Sequence, residues 1–338
     1  MRLQSMIFRK FNSLLLRSGA FLLKRLLAPF GYAVVRQGLL NDIRSSRRSA
    51  VRRLIETNIV SFPRKPGATG IVFSKDRALQ LHALLNSYRL KCMNPPKLII
   101  IYTASSPAHM RAYEELIKIY DHVDFNYTFV AESGPFKNVL LSTLKAIHTS
   151  NLFFIVDDNV CINSFDGLDL ERVDSRKFIL SLRMSPNCVY SYTGNSYHTP
   201  PPFTVDAEQP QWLHFEWGVS ANEWSYPYSL DGHVFPTSEI HTLAELGEYN
   251  GPNSFEVLLM SFNDIGMSKG GICYSNSRVL NLPINKVQVE NDNLHGTVSA
   301  ENLLDCWMAG KVLDFSTLDG HEPVSPHEEH YLSLVDRF

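Results

Sequence analysis

Between residues 67 and 165 the chain alternates short apolar runs with stretches whose apolar positions recur at helical spacing. Gly70-Ile-Val-Phe73 predicts a buried strand, and the polar Ser74-Lys-Asp-Arg77 leads from it into a helix through Leu79, Leu81, Leu84 and Leu85. Lys97-Leu-Ile-Ile-Ile-Tyr102 predicts a second strand and residues 107–120 a helix; Val123 to Val130 predicts a third strand and residues 137–149 a helix. A fourth strand over 152–156 delivers Asp157-Asp-Asn159 into a turn. Strand and helix in strict alternation predict a Rossmann-type α/β fold, a mostly parallel sheet flanked by helices. In open sheets of this kind ligands bind beyond the carboxyl ends of the strands, where Ser74, Tyr102 and Asp157 are expected together.

Past about residue 185 the pattern turns irregular. Trp212, Trp217, Trp224, Tyr226 and Tyr228 crowd around Asp231-Gly-His233, and Pro252-Asn-Ser-Phe-Glu256 opens an apolar helix with Asn253 or Ser254 as its expected N-cap. Residues 67–338 therefore read as one body with halves at 67–165 and 166–338. Its 44% hydrophobic and 11% aromatic content is ample for a packed core.

Charge adds an extension to this picture. Residues 1–66 hold 14 Lys/Arg against two acids (Asp42 and Glu56), which leaves 18 against 32 for the rest. Within residues 6–28, Phe8, Phe11, Leu15, Leu22 and Leu26 share one helical face while Lys10, Arg17 and Lys24 lie opposite, until Pro29 ends the helix. Such a helix suits either the interface of an anionic membrane or a groove on the protein's own body. Arg44 to Arg53 continues the basic character; an acidic body without a nucleic-acid motif argues against nucleic acid as the partner. Basic residues interrupt every N-terminal apolar run, so neither a spanning helix nor a cleaved signal is expected. The five scattered cysteines form no framework and fit a reducing compartment. The expectation is a cytoplasmic protein, peripheral at the inner face of the membrane.

Two carboxylates at the mouth of a sheet attract a hard divalent cation, which Mg²⁺ sites typically share with substrate phosphates. An ordinary strand exit also favours Asp and Asn, so the pair alone decides little. In its place, about 85 positions after the first strand, Asp157-Asp158-Asn159 resembles the metal motif of nucleotide-sugar-dependent glycosyltransferases of the GT-A fold, bacterial family-2-like members among them. The resemblance covers roughly residues 68–300 and rests on Ile71-Val-Phe-Ser-Lys-Asp-Arg77, the acidic strand end and a later acidic residue at a helix start. Asn159 departs from the usual final acid, so that Asp158 takes over ligation, or metal is bound weakly, or the enzyme depends less on metal.

The resemblance implies a nucleotide-binding half at 67–165 and an acceptor-binding half at 166–338. It implies Phe73, Ser74, Arg77, Tyr102, Lys137 and Asp157 around the nucleotide, and Asp158, Asn159 and His295 around Mn²⁺ or Mg²⁺. Lys137 would stand at a helix N-terminus, against the dipole, where an anionic ligand offsets the cost. Glu256, 98 positions after Asp158, would be the catalytic base of an inverting transfer, with Asp231 as its rival. Trp212, Trp217 and Trp224 would offer stacking faces to the acceptor or simply fill the core. The implied activity is sugar transfer from a nucleotide diphosphate sugar to a lipid-linked or polysaccharide acceptor. A metal-dependent nucleotidyltransferase or phosphohydrolase is the rival chemistry, though Ser74-Lys-Asp-Arg77 has no glycine to cradle phosphates, and a catalytically silent binding protein is the rival class. Deleting residues 1–35 is expected to move the protein from the membrane fraction to the soluble one, read by sedimentation and immunoblotting.

Overall fold

The computed structural model describes residues 37–121, 126–284, 298–331 and 333–337. It divides the chain into a unit of residues 1–53 and a unit of residues 54–338. The amphipathic segment 6–28 and His295 both lie outside the described residues. The helix Gln37–Ser61 (α1) carries the basic run from Arg44 to Arg53, and among the described residues no helix is long and apolar enough to cross a membrane.

The second unit is built on the expected sheet. Strands Lys65–Lys75 (β1), Lys97–Thr103 (β2), Tyr127–Ala131 (β3) and Thr149–Val156 (β4) are mutually parallel in the order β4-β1-β2-β3. A short strand contributed from far downstream, Val234–Pro236, runs antiparallel on the outer side of β4. Helices Ala78–Lys91 (α2), Pro107–Tyr120 (α3) and Phe136–Ala146 (α4) follow the first three strands. Residues 107–120 form a helix as the sequence predicts, because Ser106 caps it through His109 N–H and Pro107 occupies the first position, where its missing N–H costs nothing. β1 starts five residues before Gly70, and the helix predicted over 137–149 ends at Ala146 because Thr149 already belongs to β4.

Strand alternation divides the core into two layers. Val72, Leu98, Ile100, Phe153 and Ile155 pack with Leu81, Leu84 and Leu85 of α2 and with Trp307 of the later helix Ala300–Met308. On the opposite face Phe73 lies 5.5 Å from Phe136 of α4, and Phe154 lies 6.0 Å from Phe255 of the helix Pro252–Met260 (α5), measured between ring centroids. A second sheet pairs Phe178–Ser181, Gly270–Tyr274, Trp212–Glu216 and Thr204–Val205 side by side and carries the irregular half.

Two polar fixtures hold the sheets in register. The buried Asn151 amide donates to the carbonyls of Leu170, Glu171 and Val173 at 2.8, 3.2 and 3.0 Å and accepts from Ser175 Oγ at 2.7 Å, so one side chain closes a helix end against β4. Lys269 Nζ meets both oxygens of Glu239 at 2.8 and 2.7 Å in the interior, and Tyr228 OH donates to the same carboxylate. Buried charge survives only when paired in this way.

At Gly70 in the central strand an added Cβ would stand 2.4 Å from Leu98 Cδ2 and 2.5 Å from Phe153 Cζ. Gly70→Ala is therefore expected to lower stability by about 2–3 kcal/mol through overpacking, seen as a lower urea midpoint with an unchanged m-value.

Candidate functional site

The carboxyl ends of the sheet's inner strands release their chains at one edge. Ser74 of β1 pairs with Tyr102 of β2, and Phe73 pairs with Val156 of β4, so the loops after β1, β2 and β4 emerge side by side. The loop after β1 is held in place: Asp76 has a left-handed backbone (φ 56°) that Asp tolerates, and its Oδ1 accepts Ser105 N–H at 2.7 Å. Tyr113 OH pairs with Ser74 Oγ at 2.7 Å and accepts Arg77 N–H at 3.1 Å, which seats Arg77. Above this edge opens a cavity of about 1030 Å³.

Arg77 crosses to the acidic turn. Its NH1 donates to Asp157 Oδ1 at 3.0 Å and to Asp158 Oδ2 at 2.9 Å. Asp157 Oδ2 accepts Lys75 N–H at 3.3 Å, and Asp158 Oδ1 accepts Asn281 Nδ2 at 2.8 Å. Burial drives the Asp157 carboxyl upward, Arg77 pulls it down and Asp158 pushes it up again, leaving it at about 6. Burial likewise opposes the Arg77 charge, but the two carboxylates more than offset it and raise its pKa.

The far wall comes from the irregular half. Arg183, 3% exposed, donates from NH1 to Asp231 Oδ2 at 3.2 Å, and His327 Nε2 lies 3.5 Å from the same oxygen. Burial raises the Asp231 pKa against the opposing pull of Arg183 and the Asn159 amide. Burial together with the Arg183 charge lowers His327 to about 4, so its ring is neutral near pH 7. Glu256 Oε1 accepts Leu230 N–H at 2.8 Å and Ser229 Oγ at 3.3 Å; burial still raises its pKa above the usual value. Glu223 Oε1 accepts Ser191 Oγ at 2.8 Å, whereas its buried Oε2 has no hydrogen-bond partner among the described residues.

Of the residues picked out by sequence, Phe73, Ser74, Arg77, Asp157, Asp158, Asp231 and Glu256 line this one cavity. Others are placed elsewhere. Tyr102 points to the opposite face of its strand, 4.8 Å from the Tyr113 ring, and its neighbours Ile101 and Thr103 reach the cavity instead. Lys137 turns out to pair with Glu248 at 2.8 Å beside Tyr249, outside the cavity lining. Asn159 is fully buried; its Oδ1 accepts Val156 N–H at 2.9 Å, so it shapes the turn rather than offering an oxygen outward. Trp212, Trp217 and Trp224 are core: Trp224 is fully buried and donates Nε1–H to Cys188 O, and Trp217 packs 4.7 Å from Phe215. The helix α5 has Gly251 as its N-cap, with Ser254 Oγ accepting Gly251 N–H at 3.1 Å, which corrects the expected Asn253 or Ser254 cap. Glu256 is consequently the fifth helical residue, past the first turn where a carboxylate merely complements the dipole. Arg183, Glu223, Asn281 and His327 complete the site without any local signal in the sequence.

The donor set at Asp157 and Asp158 suits a hard divalent cation, and the Arg77 nitrogen bridges the two carboxylates at 3.0 and 2.9 Å. Cavity-lining acids (Glu132, Asp157, Asp158, Glu223, Asp231 and Glu256) outnumber the lining cations Lys75, Arg77 and Arg183 among the described residues. An anionic ligand needs added positive charge to enter such a site.

No family model and no curated protein matches the chain. Solved structures with partial likeness include 4-diphosphocytidyl-2C-methyl-D-erythritol synthase from Anaerococcus prevotii (12% identical, 72% of this chain and 95% of that one, TM-score 0.37). Residues 1–349 of S. aureus TarS are 12% identical over 63% of this chain and 59% of theirs, TM-score 0.39. GalNAc-T7 with UDP, GalNAc and Mn²⁺ is 9% identical over 70% of this chain and 47% of its own, TM-score 0.40. With likenesses at this level, the geometry of the site is the ground for any functional reading.

Arg77→Met leaves the buried Asp157 and the part-buried Asp158 without their cation. Asp157 at about 6, above its ordinary 3.8, means that the native state binds the extra proton between those values, so its contribution to stability grows as pH falls through that window. Loss of Arg77 pushes the carboxyl higher still. The variant is expected to lose about 3–5 kcal/mol at pH 8 and distinctly less at pH 5, measured by urea unfolding at both; equal losses would contradict the charge coupling.

Proposed function

We propose that this chain transfers a sugar from a nucleotide diphosphate sugar to a hydroxyl of a glycan or lipid-linked acceptor, in the manner of GT-A enzymes. The reading is carried by one observation: a single cavity at the carboxyl end of a parallel sheet has Arg77 with Asp157 and Asp158 on one wall and Glu256 with a raised pKa on the other. Phe73 and Ser74 at the end of β1 would receive the nucleoside, and Lys75 and Arg77 would face the diphosphate. Asp157 and Asp158 would hold a Mn²⁺ or Mg²⁺ ion, which when bound neutralises charge on the departing diphosphate.

The remaining chemistry belongs to side chains of the far wall. Glu256, held at Oε1 by Leu230 N–H and Ser229 Oγ, would take the proton of the acceptor hydroxyl as the sugar carbon is attacked, giving inversion. Its raised pKa improves it as a base, provided it is ionised at the working pH. Asp231 is the less apt base, because Arg183 and His327 both engage it; it would fix those two groups at the rim. Ser191, Tyr192 and the unpaired Glu223 Oε2 offer an acceptor sugar polar groups that the core tryptophans do not. An acceptor anchored in lipid agrees with the basic extension, which would keep the enzyme at the cytoplasmic membrane face.

Calorimetric titration with a panel of nucleoside diphosphates and nucleotide sugars, with Mn²⁺ and with chelator, tests the reading. One nucleotide is expected to bind, and to bind at least about tenfold more weakly to Arg77→Ala, because that variant can no longer donate a charge-assisted hydrogen bond to the diphosphate. Failure of every nucleotide to bind would sink the reading. Once a donor is found, Glu256→Gln is expected to lower kcat about 10²–10⁴-fold with donor affinity unchanged.

A further inference from the structure

Outside the cavity, one group of side chains has the make-up of a transition-metal site. His321 Nε2 lies 2.8 Å and His330 Nε2 2.9 Å from the same atom, Glu328 Oε2, and the three candidate ligand atoms are all within 4.8 Å of one another. The imidazole rings meet edge to face, 4.9 Å between centroids. Glu328 is oriented by its backbone surroundings: Oε1 accepts Val324 N–H at 2.6 Å and Ser325 N–H at 3.3 Å, which turns Oε2 toward the two rings. Hydrogen bonds of this kind behind a ligating carboxylate are what hold a ligand set in place. The side chains of His321, Glu328 and His330 are 31%, 16% and 25% exposed, so the group is open to solvent on one side.

We propose that His321, Glu328 and His330 bind one zinc ion or a similar imidazole-preferring dication, with water at the open position. Two imidazoles and a carboxylate are a three-ligand set used for zinc, whereas Mg²⁺ and Ca²⁺ take oxygen ligands. Ligand bonds of about 2.0–2.2 Å in a tetrahedron place ligand atoms about 3.3 Å apart. The present separations of 2.8 and 2.9 Å need to open by about half an ångström, and the two Nε2 atoms, which lie within 4.8 Å of each other, need to settle to the same spacing, a side-chain adjustment. On coordination each Nε2 gives its lone pair to the metal and the ring proton resides on Nδ1.

The position of the group gives the metal its consequence. It would tie the turn at His321 to the segment 328–330, and that segment is wired to the cavity. Glu328 N–H donates to Asn281 O at 3.1 Å, Asn281 Nδ2 donates to Asp158 Oδ1, and His327, one residue before Glu328, reaches Asp231. Tyr192 on the rim bonds Glu329. The ion acts as a staple behind the catalytic wall, separate from any ion at Asp157 and Asp158.

The untagged full chain, stripped with chelator and dialysed at pH 7.5 against micromolar Zn²⁺, is expected to retain one equivalent by metal analysis. His321→Gln and His330→Gln should lose it, while Asp158→Ala should keep it, which separates this site from the proposed donor site. Co²⁺ loaded on the native chain should give the intense visible bands of four- or five-coordinate cobalt, and saturating Zn²⁺ should raise Tm by about 3 °C or more. No zinc retained by the native chain, retention undiminished in both histidine variants, or only the weak spectrum of six-coordinate aqueous cobalt would overturn the proposal.

Discussion

One guanidinium nitrogen joins the exits of two parallel strands. Arg77 NH1 bridges Asp157 and Asp158, and through them it fixes the loop after β1 to the turn after β4 at the floor of the cavity. The neighbouring geometry converges on this bridge: Tyr113 seats the Arg77 backbone, Asp76 accepts the left-handed conformation that turns the chain toward it, and Asn281 steadies the outer aspartate. A buried ion pair of this kind adds little net stability, since desolvation offsets attraction, but it permits only one arrangement of the two loops. The specificity of the site's shape therefore rests on electrostatics, while its existence rests on the apolar sheet beneath.

That sheet was legible because buried parallel strands are covered on both faces and announce themselves as unbroken apolar runs. Among the described residues the apolar runs between Gly70 and Val156 lie in strands, and the helix expected over 107–120 forms there. The site at the strand ends was legible only in part, for a reason of parity. Tyr102 ends an apolar run and is expected with the ligand, yet successive side chains alternate faces, and Ile101 and Thr103 are the ones that reach the cavity. A strand end points to a location; the face needs the register with its neighbours.

The aromatic cluster failed as a guide for a different reason. Composition cannot tell a stacking platform from a core, and Trp224, fully buried with its one donor satisfied by Cys188 O, is core by every physical measure. Conversely Arg183, Glu223, Asn281 and His327 stand in no local pattern. Each reaches the site through the second sheet or the returning C-terminal segment, and only the pairing of Val279–Asn281 against Asn159–Cys161 brings Asn281 beside Asp158. Asn159 shows the same dependence: expected beside the metal, it is a buried residue whose side chain closes the turn on Val156 N–H.

The raised pKa values on both walls follow from burial in a cavity short of free cations. Asp157, Asp231 and Glu256 are each lifted chiefly by burial, and the lining offers three cations, two of which, Arg77 and Arg183, are already engaged by carboxylates. A cavity lined in that way carries an electrostatic cost. A ligand that brings positive charge relieves it, and a proton taken up by a carboxylate relieves it too. Both would be steps of the sugar transfer proposed above: the first would admit the diphosphate in company with a cation, and the second would be the protonation of Glu256 by the acceptor hydroxyl. The same surplus of acid that would repel a bare nucleotide would thus favour the proton transfer that the proposed reaction requires.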